Sequence, residues 1–357
     1  MNYEINKIYQ FMENLIIKKL IVWYSINSRD LPWRKLYRNN LPKPYNIFVS
    51  EFMLQQTTVG TVKKRFKEFI NLWPNMSSLS KISNSKILSF WSGLGYYRRA
   101  TNLLSSAKEI NKLYNNKIPK NYDNLIKLPG IGEYTAKAIL GIAFNEPVLP
   151  LDTNIERILS RLYALGGPIV KVKKNLRLKA ELFSDKKNQS ILIQAFMDYG
   201  SIICTPKNPN CLNCIINKYC KSYKSNQQNL IPYKSRIKTK KRKKFTRAYI
   251  FINEKNEILI RKRNSNGMLA SMLEVPNDNW VENRKNLVFD SVANKFKKKI
   301  IQKGFVNYPF SHFDLNIEVF YTKVKKNLFQ EYKWINIHKI NNSALPTVMK
   351  KIIEIAF

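Results

Sequence analysis

All four cysteines of this 357-residue chain, Cys204, Cys211, Cys214 and Cys220, fall inside one 17-residue window. Residues confined so tightly act together, and whatever joins them forces the surrounding loop to close on one centre. Their spacing is C-x6-C-x2-C-x5-C. A pair of disulfides is one reading. However, no secretion signal is expected, because the N-terminal MNYEINKIYQFMEN lacks a short apolar region followed by a small-residue cleavage site. In a reducing compartment, clustered thiols bind metal more often than they bind each other. Only the middle pair has the two-residue spacing of a zinc knuckle. Four thiolates in one compact loop suit a 4Fe-4S cluster at least as well as a single ion, so spacing alone leaves zinc and iron-sulfur open.

Length and charge narrow the partner. At roughly 150 residues per domain the chain holds two, and 44% apolar residues are enough for packed cores. No apolar stretch approaches the roughly 20 residues that span a bilayer, so no membrane partner and a cytoplasmic, nucleoid-associated location are expected. Lys and Arg number 62 against 24 Asp and Glu, a net charge of +38, which points to a polyanion such as nucleic acid. Part of the excess follows composition, since Lys, Asn and Ile, all with A/T-rich codons, are abundant throughout. The one concentrated basic run is KTKKRKK, Lys238 to Lys244.

Apolar residues recur with helical spacing through the first two-thirds, as in Phe52, Val59, Val62, Phe66 and Phe69. Residues 1–222 are therefore expected to form an all-helical domain. Residues 223–244, polar and basic with Pro232, read as a linker. Beyond it, RAYIFINEKNEILIRKR sets two apolar runs around a polar turn, a β-hairpin signature. A helix-like segment near Leu287 to Ile301 and strand-like pieces IEVFYTKV and EYKWINI complete an expected α/β domain over residues 245–357.

Two short segments carry chemical potential. LPGIGEYTAKAI places Gly130 and Gly132 just before a helix, whose exposed N–H groups can meet a phosphate. After a helical stretch and Leu-Pro, this is similar to a helix-hairpin-helix element, which grips the DNA backbone without reading sequence. About twenty residues on, LPLDTNIERILSRL puts Asp152 where it can cap a helix.

Hairpin, Asp-bearing loop and cysteine cluster, in that order, resemble the endonuclease III superfamily of DNA glycosylases. Lyases of that superfamily carry a lysine nucleophile after the hairpin, where this chain has Tyr134. The resemblance thus narrows to the adenine DNA glycosylases of the MutY type. RDLPWR (Arg29 to Arg34), PYNIFVSEFMLQQTTV (Pro44 to Val59) and WSGLGYYRRATNL (Trp91 to Leu103) are similar to that family's N-terminal signatures. GMLASMLEVPN (Gly267 to Asn277), FSHFDL (Phe310 to Leu315) and ALPTVMKKI (Ala344 to Ile352) look like its Nudix-related C-terminal domain. Two positions depart from the family's pattern: Leu273 stands where Trp is common, and Thr153 where Gly is common.

The resemblance implies a multidomain fold: an all-α helix-hairpin-helix domain with one 4Fe-4S cluster on Cys204, Cys211, Cys214 and Cys220, plus an α/β Nudix-like domain. It implies a monomer acting on double-stranded DNA that contains adenine opposite 8-oxoguanine or guanine. Glu51 would protonate the base, Asp152 would stabilise the cationic sugar, and Tyr134 would position Asp152 or water. Arg34 and Gln194 would read adenine, with Arg29 nearby. Gln56 and Tyr96 would fill the stack around the orphaned partner, with Thr57 and Leu94 beside them. Phe310, Ser311 and His312 would meet the oxidised guanine, Lys207, Lys218 and Lys221 the phosphates. Lys137 is expected to be solvated or phosphate-facing, and Asp198 carries no expected role. The Nudix-like domain is not expected to hydrolyse nucleotides, because FDSVANKFKKKI, where a hydrolase needs clustered glutamates for magnesium, has one acid and four lysines. The alternatives are a catalytically eroded DNA-binding protein and a bifunctional endonuclease III-type lyase.

Overall fold

The computed structural model describes residues 2–233, 241–264, 267–325 and 332–357. Residues 234–240 of the expected linker, including the start of the basic run, lie outside the described residues. The described chain divides into two compact units, Met1–Lys81 with Asn102–Ile237, and Ile82–Thr101 with Lys238–Phe357.

The helices before the cysteine loop are α1 (Asn2–Asn27), α2 (Pro44–Leu54), α3 (Val59–Leu72), α4 (Met76–Ser80), α5 (Asn84–Phe90), α6 (Arg98–Tyr114), α7 (Tyr122–Leu125), α8 (Glu133–Phe144), α9 (Thr153–Leu162), α10 (Ile169–Glu181) and α11 (Gln189–Ile202). Helix α12 (Lys221–Lys224) follows the loop. Helix α2 begins at Pro44, whose fixed φ and missing N–H suit a first turn. It is buried from Ile47 to Met53, which explains why PYNIFVSEFML shows no polar face.

Helix α11 packs against α1, α8 and α9 and is buried along almost its whole length. Each large apolar side chain it buries, such as Phe196 or Ile193, contributes roughly 1.5–3 kcal/mol. A helix so enclosed must satisfy its polar residues internally. Ser190, Gln194 and Asp198 recur every fourth position and so lie along one face. Gly200, at the end of α11, touches the start of α9: a Cβ there would stand 2.6 Å from the Asn154 Cβ.

The second unit is built on a sheet of β1 (Arg242–Ile252), β2 (Glu257–Lys262), β3 (Leu273–Glu274), β4 (Ile301–Pro309), β5 (Phe313–Lys323) and β6 (Lys333–Asn336), in the order β3-β2-β1-β5-β4 with β6 also on β2. Strands β1 and β5 run parallel, in register from Arg242↔Phe313 to Ile252↔Lys323. Central β1 is covered on both faces, so its apolar residues form a continuous run. Ala248 and Ile250 meet helix α14 (Thr347–Ala356) on one side, while Tyr249 and Phe251 pack with Val292 and Ala293 on the other.

The expected hairpin is present: the Asn253 carboxamide accepts from Lys255 N (2.9 Å) and Glu257 N (3.0 Å) and closes the turn. Three expectations differ. The helix expected near Leu287 to Ile301 shrinks to one turn, α13 (Ser291–Asn294), capped by Asp290, and β4 starts at Ile301. Val292, Ala293, Phe296 and Ile300 do show helical spacing, but Lys295, Lys297, Lys298 and Lys299 put like charges on successive turns. Strand β1 begins at Arg242, inside the segment expected to be linker. Residues 82–101, expected within the helical domain, belong to the unit of the sheet. There Lys350 Nζ donates to Ser92 Oγ (3.0 Å), and the Tyr96 and Ser311 hydroxyls share a hydrogen bond (2.6 Å).

Candidate active site

A cavity of about 470 Å3 opens in the first unit. Arg29, Arg34, Glu51, Thr57, Tyr134, Asp152 and Gln194 all line it, so residues from α2, α8, α11 and the loop before α9 meet at one place. The lining includes no lysine among the described residues.

The two carboxylates sit in unequal surroundings. Glu51 is buried by the apolar turns of α2, and burial pushes its carboxyl up to about 7. Tyr134 opposes this by donating its hydroxyl to the carboxylate, the Asp152 charge reinforces it, and Arg34 opposes it. Tyr134 itself is held well above the usual tyrosine range by burial and by both carboxylates, so it stays a neutral donor.

Asp152 caps α9: Oδ1 accepts from Ile155 N (2.7 Å) and Oδ2 from Asn154 Nδ2 (3.0 Å). Burial raises this carboxyl too, against the Ile155 N–H, the Asn154 side chain and backbone, and the Arg157 charge. Those donors and the positive end of α9 stabilise its charged form. Glu51 has a single hydroxyl donor. A proton shared between the two carboxylates therefore resides on Glu51.

Sequence reasoning left Asp198 without a role. Its carboxylate, fully buried, accepts Arg29 N (3.0 Å), Arg29 Nε (2.7 Å) and the Arg34 guanidinium (2.8 and 3.0 Å). Burial would raise it, but Arg34 and Arg29 outweigh burial and hold it below the usual aspartate value. One turn earlier, Gln194 donates to Ser190 O (2.9 Å) and Ser190 Oγ (3.3 Å) and accepts from the Tyr24 hydroxyl (3.3 Å). The four-residue spacing from Gln194 was the available signal for Asp198.

The hairpin turn lies between α7 and α8. Gly130 takes φ +80, and a Cβ there would fall 2.7 Å from the Asn102 Cβ. Ser106 Oγ donates to Pro129 O (2.6 Å), which anchors the turn. Gly132 caps α8 with extended backbone and no side-chain cap, so the first N–H groups of α8 face outward from a bare turn. Lys137 pairs with Glu133 (3.1 Å), which also meets Arg177 (2.5 Å), and Lys137 does not line the cavity.

Gln56 is exposed just past α2 with φ +57, a left-handed conformation that a non-glycine residue adopts at a cost. In the second unit Tyr96 is the counterpart, φ +47 and 47% exposed, immediately after Gly95. Leu94, expected in the exposed loop beside it, is instead buried. The apolar side chain turns inward while its carbonyl accepts from buried Arg99 (2.9 Å). Phe310, Ser311 and His312 form the tip joining β4 and β5. Phe310 packs on Trp280 and Phe313, and Ser311 and His312 are exposed. Two buried carboxylates of this unit are occupied by arginines: Glu274 by Arg261 (2.9 Å) and Arg263, and Asp290 by Arg261 (2.6 Å).

Cys204, Cys211, Cys214 and Cys220 line one pocket with Ile158, Leu162, Ile203 and Ile216, and all four thiols are free of disulfides. Arg161 NH1 reaches Cys204 Sγ (3.3 Å), and the Tyr199 hydroxyl bonds Cys214. Burial raises Cys211, Cys214 and Cys220, the last to about 11, and the neighbouring sulfurs add to each. Among the described residues, no three His, Cys, Asp or Glu side chains gather tightly enough for a single ion. Arg157 ties this loop to the carboxylate site, since it donates to Cys204 O (2.7 Å) and to Asn154 Oδ1 (2.9 Å). Lys207, Lys218 and Lys221 are exposed.

No helix among the described residues is long and apolar enough to cross a membrane. Residues 49–183 match the HhH-GPD superfamily of base excision DNA repair proteins, and residues 247–355 match the NUDIX domain. The chain is 35% identical to the adenine DNA glycosylase of Buchnera aphidicola subsp. Schizaphis graminum, over 95% of this chain and 98% of the relative. It is 29% identical to the adenine DNA glycosylase of Schizosaccharomyces pombe, over 89% and 84%. A solved structure of a thermostable thymine-DNA glycosylase superimposes with a TM-score of 0.54 at 26% identity, over 60% of this chain and 97% of that one. With likeness along almost the whole chain, and a helical unit and a Nudix-like unit in the family's order, the chain belongs to the adenine DNA glycosylases.

Proposed function

We propose that this adenine DNA glycosylase hydrolyses the N-glycosidic bond of adenine standing opposite 8-oxoguanine or guanine in duplex DNA. Glu51 serves as the acid and Asp152 as the anion. The observation that carries the assignment is the pair of carboxylates in one cavity that differ in their donors, one hydroxyl on Glu51 against the N–H groups of Ile155 and Asn154 on Asp152. Base loss leaves electrons on the adenine and positive charge on the sugar. A protonated Glu51 delivers a proton to the base, and an ionised Asp152, fed by N–H donors, lies against the cationic sugar. Tyr134 keeps the Glu51 carboxyl oriented through its hydroxyl. The lysine-free lining fits hydrolysis without a Schiff base.

Reaching this cavity requires the adenine to rotate out of the stack. Gln56 and Tyr96, both held in left-handed backbone, are the side chains offered to the gap. Ser311 and His312, with Ser311 bonded to Tyr96, are offered to the partner base. The four cysteines that line one pocket in one loop fit a 4Fe-4S cluster. Cys204, Cys211, Cys214 and Cys220 would hold such a cluster, which would cross-link the loop after α11 and leave Lys207, Lys218 and Lys221 of that loop to meet phosphate. Iron and sulfide analysis of purified protein should give a cluster stoichiometry with visible absorbance, and a colourless zinc protein would overturn this assignment.

Single-turnover excision from an adenine:8-oxoguanine duplex tests the roles. Glu51→Gln should lower the rate by about 10²–10⁴ with duplex affinity retained. Loss of affinity instead would make Glu51 structural.

A further inference from the structure

Asp198 is the buried charge that the reaction scheme leaves unused. It reaches no reacting atom, yet it occupies the same face of α11 as Gln194 and takes up the Arg34 guanidinium through both oxygens. Arg34 lines the cavity with Glu51 and acts on its carboxyl electrostatically. The groups facing Glu51 are Tyr134 from α8, Asp152 from the loop before α9, and Arg34 from the turn after α1. Arg29 and Glu156 lie farther along the lining. Of these, a guanidinium is the one that would hold Glu51 ionised by pairing with it.

We propose that Asp198 is a positioning residue that sequesters Arg34, holding the guanidinium at the cavity wall for the substrate and away from Glu51, so that Glu51 remains a proton donor. The inference rests on the assignment of Glu51 as the acid. A buried cation deprived of its carboxylate is strongly driven to another one; the carboxylates left in the lining are Glu51, Asp152 and the half-buried Glu156, and of these Glu51 is the one on which Arg34 already acts electrostatically. Arg29 is fastened by the same Asp198 through backbone and side chain, which fixes the turn that carries Arg34. The device therefore combines position and charge: two arginines, one acceptor, and an acid left protonated.

The test is the pH profile of the single-turnover rate constant, at saturating enzyme, for wild type, Asp198→Asn, Arg34→Gln and Glu51→Gln. Wild type should lose activity on an alkaline limb near pH 7, and Glu51→Gln should stay about 10²–10⁴ below it with no such limb. In Asp198→Asn the limb should move to lower pH by about one pH unit or more, about a tenfold loss above the limb. In Arg34→Gln, which removes a guanidinium already neutralised by Asp198, the limb should stay close to that of wild type at reduced amplitude. A wild-type limb that is absent, or a fully active Glu51→Gln, would refute the Glu51 assignment itself. With both intact, an Asp198→Asn profile scaled down at every pH without moving would make Asp198 merely structural and overturn the proposal. Should Asp198→Asn fail to fold, Arg34→Gln decides: a limb close to that of wild type supports sequestration, and an upward move of about one pH unit or more overturns it, because Arg34 would then be acting on Glu51 in spite of Asp198.

Discussion

At the scale of single residues, the acid-base site is bought with stability. Glu51 in the folded chain titrates near 7, above its ordinary 4.5. Its folded pKa is raised, so the folded state binds the proton more tightly than the unfolded chain. That contribution is present below about 4.5 and is lost as pH rises to about 7. Above 7 the enzyme buries a carboxylate at a cost of roughly 3 kcal/mol. Glu51→Gln should therefore be more stable than wild type at pH 8 by that order, with the gain vanishing near pH 4; thermal denaturation at both values checks it. Equal stability at pH 8 would place Glu51 in contact with water. Glu51 and Asp152 were named through the resemblance of the segments that carry them; an apolar helix around one and a cap position for the other are local signatures that do not by themselves point to catalysis. Asp198 was not legible, since its role arises only when residues 29, 34 and 198 meet across 169 positions of chain.

At the scale of elements, the close approach of α9 and α11 sets the geometry of Asp152. Gly200 lies against Asn154, whose side chain holds the Asp152 carboxylate, and Arg157 spans from Asn154 to Cys204 O and Gly200 O. Gly200→Ala should destabilise the protein by about 1–3 kcal/mol through overpacking and slow excision by displacing the cap. An unaffected excision rate in a folded variant would uncouple α11 from Asp152. Cys214→Ser should lose visible absorbance and weaken duplex binding, read by anisotropy; a coloured variant with full affinity would remove Cys214 from the ligand set. Helical periodicity made the first unit readable, since its helices bury apolar stripes. The segment after Leu287 misled because its apolar spacing is helical while its lysines repel. The grouping of residues 82–101 with the sheet depends on contacts such as Lys350–Ser92 that local pattern does not encode.

At the scale of the whole molecule, one chain carries a unit with base-removal chemistry and a unit with exposed polar residues at a hairpin tip. The Ser311–Tyr96 hydrogen bond joins that tip to the loop that carries Tyr96. Ser311→Ala combined with His312→Ala should reduce the preference for 8-oxoguanine over guanine opposite adenine, measured as a ratio of excision rates. An unchanged ratio would take partner-base reading away from this tip. A net charge of +38 should also give binding a steep salt dependence. The decisive measurement is single-turnover reaction of a labelled duplex bearing adenine opposite 8-oxoguanine, beside an adenine:thymine control, with each sample divided between alkali and no treatment. Strand breaks only after alkali, and only in the mismatched duplex, are the predicted result. Breaks without alkali would require a lyase nucleophile that the cavity lining does not supply, and tight binding without adenine release would contradict the assignment of Glu51 and Asp152.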